Sequence, residues 1–269
     1  MITFPNAKIN LGLQILRKRQ DHFHDIATCI YPIPLTDALE IIPSGTLHFG
    51  SSGRDIPGNP DSNLVLKAYQ MLYADYPRIS PVSIHLYKKI PIGAGLGGGS
   101  ADAAFALKMI SDIFGLDLDV LQLEHYGGQL GSDCPFFIEN QPRIATGRGE
   151  LFQPAPVNLS GNWVYLVHPE IHISTREAYA GVVPRSGQKD LKEILDKPST
   201  WKTDLTNDFE ASLFENHPTL SAIKTSFYEA GAWYAAMSGS GSAVFGLFSS
   251  APEKLSFPKH YFQLIRQLD

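Results

Sequence analysis

Five of the seven positions from Gly93 to Gly99 are glycine, and the run that holds them, PIGAGLGGGSADAA from Pro91 to Ala104, breaks off at Ser100. Between the end of a strand pattern and the start of a helix pattern, glycines this dense let backbone N–H groups turn inward with no Cβ in the way. The unpaired amides of a first helical turn and the helix dipole then attract an anion, for which phosphate is the natural candidate. Ser100 can cap that helix and offer its hydroxyl to a phosphate or to magnesium. The plainer reading is a packed or flexible loop with no ligand, but ordering each glycine costs roughly 0.5–1 kcal/mol.

The familiar phosphate loops do not fit this stretch. Gly93 to Gly98 satisfies GxGxxG, yet the strand before it alternates instead of being apolar throughout, and no second apolar strand ending in an acidic residue follows. A P-loop needs lysine and then serine or threonine where Gly99 and Ser100 stand. Neither HRD nor DFG occurs downstream, which removes the protein kinases.

Other residues carry chemistry with a bland alternative beside it. Lys8 and Asn10 share one face of an alternating strand; alone, Lys8 reads as a solvated strand-face residue, and Asn10 as readily a cross-strand polar pair as a ligand contact. Gly12, between Asn10 and Gln14, would let a ligand approach the strand. Asp133, after Gly131 and Ser132, reads alone as a helix cap or turn residue. Phe23 and His24 set an aromatic ring beside a polar one in DHFHD. SGSGSAV at Ser238 to Val244 is either a tight loop feeding a strand or a second glycine-rich wall. His22, His168 and His172 lack metal-site spacing and read as structural.

These groups need elements to position them. Period-two alternation predicts strands over Ile9–Ile15, Asp37–Ile42 and Val82–Ile90, the last with Val82, Ile84 and Leu86 on one side. Helical spacing predicts helices over Asn63–Tyr76, Ala101–Phe114 and Val120–Leu130, the second with Ala103, Leu107, Ile110 and Phe114 in one stripe. Pro, Gly and Asn interrupt the pattern between Gly147 and Asn162, where a domain boundary is expected, giving domains of residues 1–155 and 156–269. Beyond it come a strand at Trp163–Val167, helices at Leu205–Phe214 and Leu220–Ala230, and an amphipathic helix at the C-terminus.

The 269 residues bury a substantial core without staples. Two cysteines, Cys29 and Cys134, lie outside any ligand-like spacing and fit a reducing compartment, so the expected location is cytoplasmic. A formal net charge of −5 offers no field for a polyanionic duplex, and RKR at Arg17–Arg19 reads as a solvated hairpin, so no nucleic acid partner is expected. No apolar run reaches a membrane span, so no membrane partner is expected either.

PIGAGLGGGSADAA, together with PNAKINLGL at Pro5–Leu13, GSDCPFF at Gly131–Phe137 and SGSGSAVF at Ser238–Phe245, resembles the motif set of the GHMP small-molecule kinases. Four motifs in order over most of the chain make the resemblance specific. PNAKINLGLQI, DHFHDI and GSDCPFF are similar to the branch of that family whose acceptor is a cytidine diphosphate-linked polyol. The resemblance implies an α+β fold of two domains, ribosomal protein S5 domain 2-like and then ferredoxin-like, with the acceptor in the cleft between them. It implies ATP as phosphoryl donor, with Mg2+ arriving on it, and a small-molecule cytidine diphosphate substrate; the chain is expected as a monomer or homodimer.

The same resemblance makes Asp133 the catalytic carboxylate and Lys8 its cationic neighbour; a carboxylate beside an ammonium is ionised near neutrality and can accept a hydroxyl proton. It assigns Asn63, Leu64, Pro91, Gly93, Gly95, Leu96, Gly97, Gly98, Gly99 and Ser100 to ATP. Asn10, Phe23, His24, Thr175, Tyr179, Gly239, Ser240 and Gly241 go to the acceptor, with His24 reading the cytosine edge and Phe23 and Tyr179 supplying aromatic faces. Phe23 stands where the family commonly has tyrosine, so the ring can still stack but brings no phenolic hydroxyl. The rivals are a GHMP kinase for mevalonate- or homoserine-type acceptors and a catalytically silent nucleotide-binding regulator.

Overall fold

A computed structural model of the chain describes residues 1–184 and 187–269. In chain order its strands are β1 (Ile2–Thr3), β2 (Asn6–Lys18), β3 (His24–Thr36), β4 (Ala38–Pro43), β5 (His48–Gly53), β6 (Val82–Lys88), β7 (Arg143–Gly147), β8 (Leu151–Pro154), β9 (Trp163–His168), β10 (Tyr234–Met237), β11 (Val244–Phe248) and β12 (Phe262–Gln267). The helices are α1 (Leu64–Asp75), α2 (Gly98–Phe114), α3 (Val120–Leu130), α4 (Phe136–Glu139), α5 (Thr175–Ala180), α6 (Leu191–Leu195), α7 (Trp201–Asp204), α8 (Glu210–Asn216) and α9 (Pro218–Glu229). The chain divides into two compact units, one of Met1–Ala7, Leu35–Ile92 and Gly97–Gln141, the other of Lys8–Pro34, Gly93–Leu96 and Pro142–Asp269.

In the first unit the sheet order is β1-β4-β6-β5, with β5 parallel to β6 and the other pairs antiparallel. β6 buries Val82, Ile84 and Leu86 and turns Ser83, His85 and Tyr87 outward, as its alternation predicts. Asn63 caps α1 by accepting from the Val65 N–H at 2.9 Å. α2 does more than bury one stripe. Ala101, Ala103, Ala104, Ala106, Leu107, Met109 and Ile110 are all buried, because α1, α3, α4 and β4 all pack on it and its alanines permit close approach.

A buried ionic triad ties the end of β6 to the start of α2. Lys88 Nζ donates to Asp37 Oδ2 and, at 2.7 Å, to Asp102 Oδ2. Asp37 Oδ1 accepts from the N–H groups of Lys89 (2.6 Å) and Ile90 (2.8 Å), fixing the strand exit. Asp102 Oδ1 is buried without a hydrogen-bond partner. Burial, with Asp37 adding to it against the pull of Lys88, pushes the Asp102 carboxyl up from 3.8 to about 7. Between those values the folded chain holds a proton the unfolded chain has released, so this group's contribution to stability falls as pH rises. Asp102→Asn removes that dependence. Urea titrations at about pH 4 and about pH 7 should show the variant gaining on the wild type at the higher pH; a difference independent of pH would refute the assignment.

The second unit holds two sheets, β2-β3-β7-β8 and β10-β11-β9-β12. Leu13, Ile15 and Ile26 of the first meet Tyr165, Val167, Met237 and Val244 of the second, with Leu220, Ile223 and Phe227 of α9, in one core. β2 is therefore buried on both faces from Ala7 to Ile15, not half-buried as its alternation suggests. The second sheet is antiparallel throughout, and its strand order, with α5–α9 inserted between β9 and β10, is ferredoxin-like.

Two expectations about this unit are corrected. The expected C-terminal helix is strand β12, which pairs with β9 from Phe262 opposite His168 to Gln267 opposite Trp163; the open edge of β9 outweighs helical spacing in so short a segment. The helix expected over Leu205–Phe214 starts only at Glu210, as α8, and residues 205–209, which separate it from α7, are not helical. Between the two helices the chain runs beside β2: Leu13 N–H donates to Thr206 O (2.9 Å) and Asp208 N–H to Leu13 O (2.8 Å). Among the described residues no helix is long and apolar enough to cross a membrane. Both cysteines are free and buried.

Candidate active site

After β6 the chain passes through the glycine run with Gly93, Gly95 and Gly97 all left-handed, at φ of +66°, +76° and +70°. Gly97 is the N-cap of α2 and carries no side-chain cap, so Ser100 lies inside the first turn and does not cap the helix as expected. The left-handed residue ends the loop before the serine is reached. Within the run the glycines differ in what they serve. A Cβ on Gly95 would lie 2.0 Å from Ser238 O, and one on Gly98 would lie 3.0 Å from Lys88 Nζ. A Cβ on Gly99, by contrast, meets nothing within 4 Å, so the first turn of α2 presents bare backbone to open space.

In the second unit Lys8 and Asn10 do share a face and do meet. Lys8 is 4% exposed, which excludes the solvated reading, and its Nζ donates to Asn10 Oδ1 at 2.6 Å. Asn10 Nδ2 donates to Thr28 Oγ1 (3.0 Å), which in turn donates to Gly12 O (2.6 Å), so Asn10 is also a cross-strand partner. Two loops close on this pair. Lys8 N–H donates to Leu96 O (3.0 Å), Asn10 N–H to Ser238 Oγ (3.3 Å), and Ser238 Oγ to Gly95 O (2.8 Å). A Cβ on Gly239 would lie 3.2 Å from Asn10 Oδ1. A buried ammonium on a strand bonded to two glycine-rich loops suits an oxygen-rich anion. Gly12 has another role than ligand approach: its Cβ position is filled by Leu205 Cδ1 at 2.6 Å.

The cytosine candidates form a separate cluster in the same unit. His24 opens β3, and its ring stacks on Tyr179 of α5 at a centroid distance of 4.8 Å and 19° between planes. Phe209 meets the same tyrosine edge-on at 4.9 Å. Burial first, and the Lys18 ammonium second, hold His24 below the usual histidine value, so near neutrality the ring offers one donor and one acceptor. Phe23 stands exposed in the β2–β3 turn with the Arg148 guanidinium 5.1 Å from its ring centre. The turn itself is the solvated hairpin expected, its Arg19 paired with Asp21 and Asp25. Thr175 begins α5 directly after the Ser174 cap.

Asp133 belongs to the first unit. It lies in the turn closed by Cys134 N–H to Gly131 O (3.1 Å), between α3 and α4, and is half-buried. The α4 cap is Pro135, so Asp133 is a turn residue and no helix cap. Burial pushes the neighbouring Cys134 thiol up to about 11 while a hydrogen bond with Ser100 pulls it down, which ties this turn to the first turn of α2. Asn63 and Leu64 stand at the start of α1, which packs along α2. Among the described residues no three His, Cys, Asp or Glu side chains converge on a metal position. Ser100 Oγ, in the first turn of α2, is the kind of hard oxygen donor that magnesium takes alongside phosphate oxygens and water.

Sequence reasoning passed over Asn207. It is 3% exposed and holds the loop that carries Gly239. The signal was present in the polar run Thr206-Asn207-Asp208, residues that favour caps and turns over helix interiors.

Comparison with known proteins gives the following. The model of the GHMP kinases N terminal domain matches residues 63–141, and that of GHMP kinases C terminal matches residues 190–257. The chain is 56% identical over 255 residues to a 4-diphosphocytidyl-2-C-methyl-D-erythritol kinase of Cytophaga hutchinsonii, covering 94% of each. A crystal structure of 4-(cytidine 5'-diphospho)-2C-methyl-D-erythritol kinase superposes with a TM-score of 0.78 at 30% identity, over 92% of this chain and 90% of that one. Homoserine kinase from Cytophaga hutchinsonii superposes with a TM-score of 0.59 at 17% identity, over 91% of this chain and 85% of that one, a likeness of fold alone.

Proposed function

The chain belongs to the GHMP kinases, and from that premise we propose that it transfers the γ-phosphoryl group of ATP to the 2-hydroxyl of 4-diphosphocytidyl-2-C-methyl-D-erythritol, a step toward isoprenoid precursors. The geometric observation that carries the reading is the buried Lys8 ammonium on Asn10 Oδ1, on a strand whose backbone is bonded to both glycine-rich loops, at Leu96 and at Ser238. The identity to relatives of that name over nearly the whole chain supports the acceptor.

Phosphoryl transfer asks for little covalent chemistry and much positioning. In this reading the bare first turn of α2 and the left-handed glycines before it bind the nucleotide phosphates through backbone N–H groups, with Ser100 Oγ among the donors. Asn63 and Leu64 lie on the adenosine side. Lys8 holds the acceptor oxygen and stabilises the charge that grows on it, with Asn10 orienting the ammonium. Asp133 accepts the hydroxyl proton as the acceptor oxygen bonds to phosphorus and the bond from phosphorus to the ADP oxygen breaks. Mg2+ bound with ATP would offset charge on the phosphate oxygens.

At the far end of the acceptor, neutral His24 reads the cytosine edge, and Phe23 and Tyr179 supply aromatic faces with Thr175 nearby. His24 and Tyr179 stack directly on one another, so a base between them requires the rings to part by roughly one aromatic thickness. The loop of Gly239, Ser240 and Gly241 faces phosphate. Turnover measured with 4-diphosphocytidyl-2-C-methyl-D-erythritol, mevalonate and homoserine in parallel tests the acceptor: activity with the first is expected, and activity with one of the others alone would overturn it. ATP binding without turnover of any of them would favour the silent regulator.

A further inference from the structure

Asn207 makes three hydrogen bonds that use both hydrogens of its amide and its oxygen. Nδ2 donates to Met237 O and to Gly239 O, each at 2.8 Å, and Oδ1 accepts from Phe209 N–H at 3.0 Å. The segment that carries it is held just as firmly. Thr206 and Asp208 bond to the Leu13 backbone, Asp208 Oδ2 accepts from Ile15 N–H (2.7 Å), and Glu210 Oε1 accepts from Met237 N–H (2.7 Å). Residues 206–210 therefore splice strand β2, which bears Lys8 and Asn10, to the loop after β10.

The consequence lies in the direction of two peptide units. In a trans peptide the C=O and the following N–H point opposite ways. With Met237 O turned to Asn207, Ser238 N–H points away, and it does so onto Ala243 O at 2.9 Å. With Gly239 O turned to Asn207, Ser240 N–H must likewise point to the other face of the loop. Gly239, at φ +56°, is a residue able to adopt either hand, and the Gly241 N–H to Ser238 O bond (3.0 Å) that closes the turn spans the Gly239–Ser240 peptide without bonding to it. Asn207 is the side chain that bonds to this peptide's carbonyl.

We propose that Asn207 is a positioning residue that fixes the Gly239–Ser240 peptide so that the Ser240 N–H is presented to a phosphate oxygen of the reacting complex. The proposal rests on the reading of this loop as a wall facing phosphate. The oxygen can come from the diphosphate of the acceptor or from the nucleotide, and two probes separate these sources. The full chain, labelled with nitrogen-15, is titrated with CDP and, separately, with magnesium and a non-hydrolysable ATP analogue while the Ser240 amide resonance is followed.

In the wild type that resonance is expected to move with one probe or both; indifference to both overturns the proposal. In Asn207→Ala the movement disappears and kcat/KM falls by roughly 10²-fold, the scale of a small misplacement in the site. A folded variant that melts lower yet keeps the Ser240 response and the wild-type turnover overturns the positioning role and leaves a structural one. Should alanine prevent folding, Asn207→Asp keeps the shape and removes the donors. If the wild type fails to phosphorylate the cytidine diphosphate acceptor, that identification falls, while the Ser240 measurement still decides Asn207.

Discussion

Asp133→Asn is expected to leave ATP bound and to lower phosphoryl transfer by roughly 10²–10⁴, the usual contribution of a positioned general base. The amide has the shape of the carboxylate and can occupy the same turn, closed by Cys134 N–H to Gly131 O. It cannot take up a proton from the acceptor hydroxyl. The nucleotide contacts assigned to the glycine run and the first turn of α2 are untouched, so calorimetry should report an ATP affinity within about twofold of wild type while single-turnover transfer collapses. Equal losses in binding and transfer would make Asp133 a structural turn residue. Unchanged transfer would remove it from the chemistry altogether. The comparison is sharpest in single-turnover conditions, because slow product release can hide a chemical defect of this size.

What could be seen in the sequence was what local pattern alone dictates. β6 announces its buried face by strict alternation, and the same rule puts Lys8 and Asn10 together on β2, where they prove to be hydrogen-bonded. The glycine run announces both the strand end before it and the helix after it. What could not be seen depends on partners distant in sequence. β2 shows the pattern of a half-buried strand because polar Lys8, Asn10 and Gln14 alternate with apolar residues, yet all are buried; hydrogen bonds to Thr28 and Lys189, contributed by remote segments, make that possible. β12 takes its form from the edge of β9, almost a hundred residues earlier in the chain. Gly12 looked like room for a ligand and is instead room for Leu205. Asn207 went unnoticed for the same reason: its value lies in the carbonyls of Met237 and Gly239, about thirty residues on.

Gly95→Ala and Gly99→Ala separate the two services the glycine run performs. At Gly95 the new methyl would sit 2.0 Å from Ser238 O with φ at +76°, so backbone must yield on both sides. The left-handed conformation alone costs about 1–2 kcal/mol in stability. The loop shift of roughly 1 Å needed to relieve the clash should lower kcat/KM by about 10²-fold or more. Gly99 is the opposite case. Its methyl meets nothing in the protein and lies in a helix, where alanine is better than glycine by about 1 kcal/mol, so the variant should melt higher than wild type. If the first turn of α2 is where phosphate approaches bare backbone, the same methyl stands in its way, and ATP affinity should fall even as stability rises. Thermal melting and ATP titration on the two variants read these effects independently. A Gly99→Ala protein that is more stable and binds ATP as the wild type does would mean that the glycines serve packing alone, and that the triphosphate lies elsewhere.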